Sequence, residues 1–230
     1  MDRILLGAFL IIMALLLGRL VLSLRRSASE RDQIREAFLD PCKPLLEAPI
    51  MGVSLAGFPR LSGKYQGFTV DLQAVPDALS FRKLPALWLL VTLVEPQPVG
   101  ATLDIMARPS GLEPFSHFNR LPHEIMRPAD FPQDCAIRSD DATALGPQDW
   151  LAPHLAILAD PRVKELLITP KGLRLVWLAE EADRTRFLIF REAELAQSPI
   201  DPARVVSLLD HLVTMHHNFA ATTQPKALSA

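Results

Sequence analysis

Residues 164–179 read KELLITPKGLRLVWLA, two short runs of apolar and branched residues joined by Pro170, Lys171 and Gly172. Runs this short, bounded by proline and glycine, are strands of a hairpin and not helices. The next segment, RTRFLIF at 184–190, follows a polar turn and reads as a third strand. Upstream, ALWLLVTLVE at 86–95 is apolar along nearly its whole length, the mark of a central strand buried on both faces. After Pro96, Pro98 and Gly100 the chain returns as ATLDIMA at 101–107. LSGKYQGFTVDLQAV at 61–75 has turn residues at Gly63 and Gly67 and alternates Phe68, Val70 and Leu72 on one face, which predicts a hairpin with a tight turn around 64–67. DCAIRSDD at 134–141 reads as a short strand running into Ser139, Asp140 and Asp141, all good helix caps.

Helical spacing appears in two places. Leu151, Leu155 and Leu158 predict a helix over 148–159, with Pro153 confined to its first turn. Val205, Leu208, Leu209, Leu212, Met215 and Phe219 make the inward stripe of a last helix that opens with Asp201 and Pro202. The order is therefore meander, loop, helix, meander, helix. That is an α+β domain of antiparallel meanders with packed helices, not the strand–helix alternation of a Rossmann fold. Between the two meanders lies 109–132, with five prolines and no regular pattern, a length that marks a functional loop or a crossover between two lobes. The expected organisation is an anchor at 1–26, a helical stalk and linker at 27–59, the domain at 60–220 with candidate lobes 60–108 and 131–220, and a flexible tail at 221–230. The linker portion, 41–59, is rich in proline and small residues, and a short helix carrying Ile34, Ala37 and Phe38 stops at Pro41.

The anchor rests on residues 4–24, ILLGAFLIIMALLLGRLVLSL, whose only charge is Arg19. At about 1.5 Å per residue this stretch matches a hydrocarbon core of about 30 Å. Arg25 and Arg26 stand where a signal-peptide cleavage site would need small residues, so the segment is expected to stay attached. Arg19, Arg25, Arg26 and Arg31 follow the apolar run and only Arg3 precedes it, which places the domain on the cytoplasmic side. The expectation is a single-pass transmembrane helix in the bacterial inner membrane, contacting the lipid bilayer through 4–24.

The formal charge of -2 and the 24 basic against 26 acidic residues exclude a basic nucleic-acid binder. Cys42 and Cys135 allow one bridge at most, so no disulfide scaffold is present. Catalytic and metal motifs fail one after another. His123 and Glu124 begin a zinc-protease pattern, but Arg127 replaces the second histidine. Gly57 and Lys64 bracket a P-loop-like run with one residue too many and with Tyr65 in place of Ser or Thr. Gly52, Ser54 and Ala56 miss the nucleophile elbow by one residue. His211, His216 and His217 do not share a helix face at i, i+4 spacing. Asp140 and Asp141 are read as caps, and Cys135 as a small buried hydrophobe. No catalytic, cofactor or metal residue is assigned.

The segments LSGKYQGFTV at 61–70 and FPQDCAIRSDD at 131–141, with the leucine-rich helix and meander up to Phe219, resemble a family of bacterial membrane-anchored α+β domain proteins. Cys135 stands where that family's pattern has an aromatic, and one anchor stands where two are common. The resemblance implies N-terminal transmembrane segments and a soluble α+β domain, and carries no activity. The function expected from the sequence is a protein-interaction or assembly module with a protein partner. The alternatives are a membrane-associated hydrolase using Ser54, Cys135 or the acids at 140 and 141, and a ligand-sensing domain with a pocket between lobes.

Overall fold

Nine strands form one sheet in a computed structural model of the chain, which describes residues 2–78, 84–111, 113–128, 131–144, 149–190 and 194–223. They are β1 (Glu47–Val53), β2 (Pro59–Tyr65), β3 (Phe68–Asp77), β4 (Ala86–Leu93), β5 (Leu103–Ala107), β6 (His123–Ile125), β7 (Cys135–Ser139), β8 (Val163–Thr169) and β9 (Gly172–Glu181). Their order across the sheet is β1-β2-β3-β4-β9-β8-β5-β7-β6, and every neighbouring pair is antiparallel. The turn between β2 and β3 puts both Gln66 (φ 52) and Gly67 (φ 85) in the left-handed region, as a two-residue hairpin of matching twist requires. β5 lies between β8 and β7, so strands from either side of the 109–132 loop interleave.

The register sorts the two faces. Leu61, Leu72, Val91, Leu175, Leu166, Ile105 and Ile137 run across the sheet as one paired row, all buried. On that face lie a 3-10 helix at Ala37–Leu45, another at Asp149–Ala159, and the helix α3 over Pro202–Thr223. Val205, Leu208, Leu209, Leu212, Met215 and Phe219 of α3 all join this core, as their spacing predicts. Asp201 caps α3 by accepting from the Ala203 amide at 2.9 Å, with Pro202 in its first turn. The two 3-10 segments carry Pro41, Pro44 and Pro153, which lack the N–H that an α-helical ladder would use. The other face carries a smaller cluster of Leu90, Met106 and Val176, roofed by Phe115 and Phe118 of the 109–132 loop.

Several expectations need correction. The 41–59 stretch is not a surface linker, since Cys42, Leu46 and Phe58 enter the core and β1 forms the sheet edge. Residues 184–190 form not a strand but the short helix α2 (Arg184–Phe190), because Asp183 accepts from the Arg186 amide at 2.7 Å and starts a helical turn. The expected tail lies partly in α3, and 224–230 lie outside the described residues.

The membrane anchor is the largest correction. Residues 2–36 form one continuous helix, α1 (Asp2–Glu36), without a break at the expected stalk. Among the described residues no helix is long and apolar enough to cross a membrane, which overturns the transmembrane, single-pass and inner-membrane expectations. The physical reason lies in the run itself. Its uninterrupted apolar part, 4–18, would span only about 22 Å against the roughly 30 Å of a hydrocarbon core, and Arg19, Arg25 and Arg26 follow.

Candidate functional site

Two strand-interior acids point into the less apolar face. Asp104 of β5 faces Leu167 of β8 across the ladder, and Glu165 of β8 faces Met106 of β5, so the two carboxyl groups are diagonal neighbours. They are only 2% and 1% exposed. Burial, then the charge and hydrogen bond of Glu165, push the Asp104 carboxyl up to about 9. Glu165 is also raised, chiefly by burial, while Ser116, Asp104 and Arg174 favour its charged form. The pair therefore holds a proton at neutral pH, because two adjacent carboxylates cannot both ionise away from water. Ser116 donates to Glu165, and its neighbours Phe115 and Phe118 pack on the sheet, so this contact ties the proline-rich loop to β8.

Beside this pair lies a cavity of about 320 Å³. Trp88, Ala86 and Leu178 form its sheet wall, and Ser110, Glu113 and Phe115 form its loop wall. Trp88 pairs with Leu178 across β4 and β9, and its ring meets the Phe115 ring at 5.0 Å between centroids. Glu113 accepts from the Ser110 amide and hydroxyl at 2.6 Å each and from Lys164 at 3.3 Å, with the Glu113 side chain 3% exposed. Burial pushes its carboxyl up, but the Ser110 bonds and the Lys164 charge outweigh burial and hold it below the ordinary value. Lys164 also donates to the Arg108 carbonyl, while the Arg108 guanidinium donates to the carbonyls of Pro161 and Val163 and pairs with Asp134. All the contacts just named engage Glu113 through Oε1. Its Oε2, and the indole Nε1 of Trp88, are buried without a hydrogen-bond partner. Buried polar atoms are rarely left so, and both of these belong to residues that line the cavity, one from each wall.

The residues weighed from sequence take other places. Ser54 accepts from the Phe58 amide at 3.3 Å and closes the turn between β1 and β2. Cys135 donates to the Pro132 carbonyl at 3.1 Å, and burial raises its thiol. Asp140 accepts from the Thr102 amide at 2.7 Å, and Asp141 closes a turn by accepting from the Thr143 amide and hydroxyl. His123 sits exposed on the sheet-edge strand β6, opposite Ser139. Gly63 and Lys64 lie inside β2, not in a phosphate loop. His216 is within 2.9 Å of Gln97, and His217 packs edge-on against Phe68 at 5.4 Å. His211 meets His154 ring to ring at 5.4 Å, and burial, then the His154 charge, push it down to about 4. The structure brings none of Ser54, Cys135 and Asp140 together.

The residues that line the cavity were missed by sequence reasoning. Asp104 and Glu165, which do not line it, did leave a signal, since each is a lone acid within an apolar strand and shares the face of Met106 or Leu167. Glu113 and Ser110 left none, being polar residues in a proline-rich loop. No family model, no curated protein and no solved structure matches the chain.

Proposed function

We propose that the α+β domain is a binding module that captures a small molecule in the cavity between β4, β9 and the 109–132 loop. The observation that carries this reading is the pair of buried, unpartnered polar atoms, Trp88 Nε1 and Glu113 Oε2, on residues that line one cavity. The volume falls at the small end of ligand pockets, about 300–1,000 Å³. An aromatic wall with a few fixed polar groups is the usual make-up of such a site. A hydrolase reading has no comparable support, because Ser54 and Cys135 serve turns and each is engaged locally. The reading is tested by titrating a fragment set into the isotope-labelled full chain. At least one fragment is expected to shift the Trp88 indole resonance saturably while leaving that of Trp177, on the opposite face, in place. A set in which no fragment moves Trp88 contradicts the reading.

A second reading, an assembly module, is favoured by α1. Phe9, Met13, Leu16, Leu20 and Leu24 recur at three- and four-residue spacing on this helix and are all exposed. The helix meets the domain near its C-terminal end, where the Arg35 guanidinium lies 5.0 Å from the Phe58 ring. Ile12, Leu15, Leu17, Val21 and Leu22 are exposed as well, so the apolar surface runs round the helix, and it suits pairing with α1 of a second copy. Sedimentation of the full chain is then expected to give a dimer that Leu16→Glu and Leu20→Glu dissociate. A monomer in the unaltered protein removes this reading.

A further inference from the structure

We infer, resting on the ligand-binding reading above, that the cavity between Trp88 and Glu113 takes a small aromatic molecule bearing a protonated amine. Three observations converge on that class. The first is charge. Asp77, Glu113 and Glu181 line the cavity together with Arg108 and Lys164. Both cations are already engaged: Lys164 by Glu113 Oε1 and the Arg108 carbonyl, Arg108 by Asp134 and two main-chain carbonyls. The Glu113 carboxylate, in contrast, has its whole second oxygen unused, on a side chain that is 3% exposed. An arriving ammonium group supplies donors that this oxygen lacks, and an arriving anion does not.

The second observation is the wall itself. Trp88 and Phe115 present two rings tilted at 52° to one another, and a ring face carries the negative end of its quadrupole. A cation over tryptophan is stabilised most among the aromatics, and more so out of water. An aryl group on the ligand would pack against the same rings. The third is placement. Glu113 and Phe115 come from the loop and Trp88 from β4, so a ligand touching all three bridges loop and sheet. Ser110 holds the Glu113 carboxylate by two bonds, so the acceptor is fixed in place before the ligand arrives.

The experiment compares three probes of one shape and different charge on the full chain: phenethylamine, 2-phenylethanol and phenylacetate. Binding is read at the Trp88 indole resonance and by calorimetry. Phenethylamine is expected to bind at least about tenfold more tightly than either of the others, a difference of about 1.4 kcal/mol. Glu113→Gln keeps an oxygen for Ser110 and removes the charge, and is expected to erase that preference. If Glu113→Gln does not fold, Trp88→Leu serves instead, read by calorimetry, and is expected to weaken phenethylamine at least about fivefold through loss of the ring. Equal binding of the three probes overturns the amine inference and leaves the cavity reading intact. Tighter binding of phenylacetate, binding of phenethylamine that neither variant alters, or no saturable binding of phenethylamine overturns it as well. The cavity reading itself falls only if the wider fragment set also fails to move Trp88.

Discussion

At the scale of single residues, the buried acids and histidines make opposite demands on pH. Asp104 has a folded pKa of about 9, far above an unfolded aspartate, so the folded state holds a proton that the unfolded chain releases. Its contribution to stability is therefore complete below about pH 4 and is lost as pH rises towards 9, with Glu165 shifted in the same direction. His211 is depressed to about 4 and His154 is also lowered, so their contribution is complete above about pH 6.5 and is lost as pH falls towards 4. Between pH 4 and 6.5 the two effects oppose one another. Above pH 6.5 only the carboxyl effect remains, and stability is expected to decline from pH 7 to 9. Asp104→Asn mimics the protonated acid. It is expected to raise stability at pH 8 by an amount on the order of 2 kcal/mol and to flatten that decline. Urea unfolding of both proteins at pH 6, 7, 8 and 9 checks this. A variant less stable than the parent at pH 8 would show that Asp104 is charged in the folded protein.

At the scale of elements, α3 and the β8–β9 hairpin supply the clearest tests. Leu209 is fully buried in the main core, and Leu209→Ala is expected to cost about 2–5 kcal/mol. His217 is exposed, and His217→Ala is expected to change stability by less than about 0.5 kcal/mol. Equal effects of the two, measured by thermal unfolding, would mean that α3 docks by another face. Gly172 opens β9, where an added Cβ would sit 2.3 Å from the Leu93 carbonyl oxygen, a main-chain atom that cannot swing away. Gly172→Ala should therefore lower stability by about 1–3 kcal/mol, and an unchanged midpoint would place β9 farther from β4. Much at this level was legible in the sequence. Pro170, Lys171 and Gly172 mark the β8–β9 turn, Gly67 the β2–β3 turn, and the leucine spacing marks α3. Where local patterns misled, a specific competitor won: the Asp183 cap turned an apolar, strand-like run into α2, and the apolar face of Phe38, Leu39 and Cys42 drew an apparent linker into the core.

At the scale of the whole molecule, the strand order and the site were the least legible features. That β5 inserts between β8 and β7 depends on pairings some sixty residues apart in sequence, which no local period records. The cavity arises from the same long-range contacts. Trp88 comes from β4, Lys164 from β8 and Glu113 from the loop, and nothing in their spacing announces that they meet. The lone acids Asp104 and Glu165 were visible as anomalies in apolar strands, but their partnership needed the β5–β8 register. The apolar run at 4–24 was equally visible and suggested a bilayer, yet it forms part of the longer α1, and among the described residues no helix is long and apolar enough to cross a membrane. The proposed function stands or falls with the cavity under the 109–132 loop as a ligand site whose acceptor is Glu113. It is tested most directly by a crystal structure of the full chain grown with phenethylamine. The aryl ring is expected against Trp88 and Phe115, with the amine nitrogen roughly 2.7–3.2 Å from Glu113 Oε2. Phenethylamine bound elsewhere, or a cavity filled only by water at saturating probe, would contradict it.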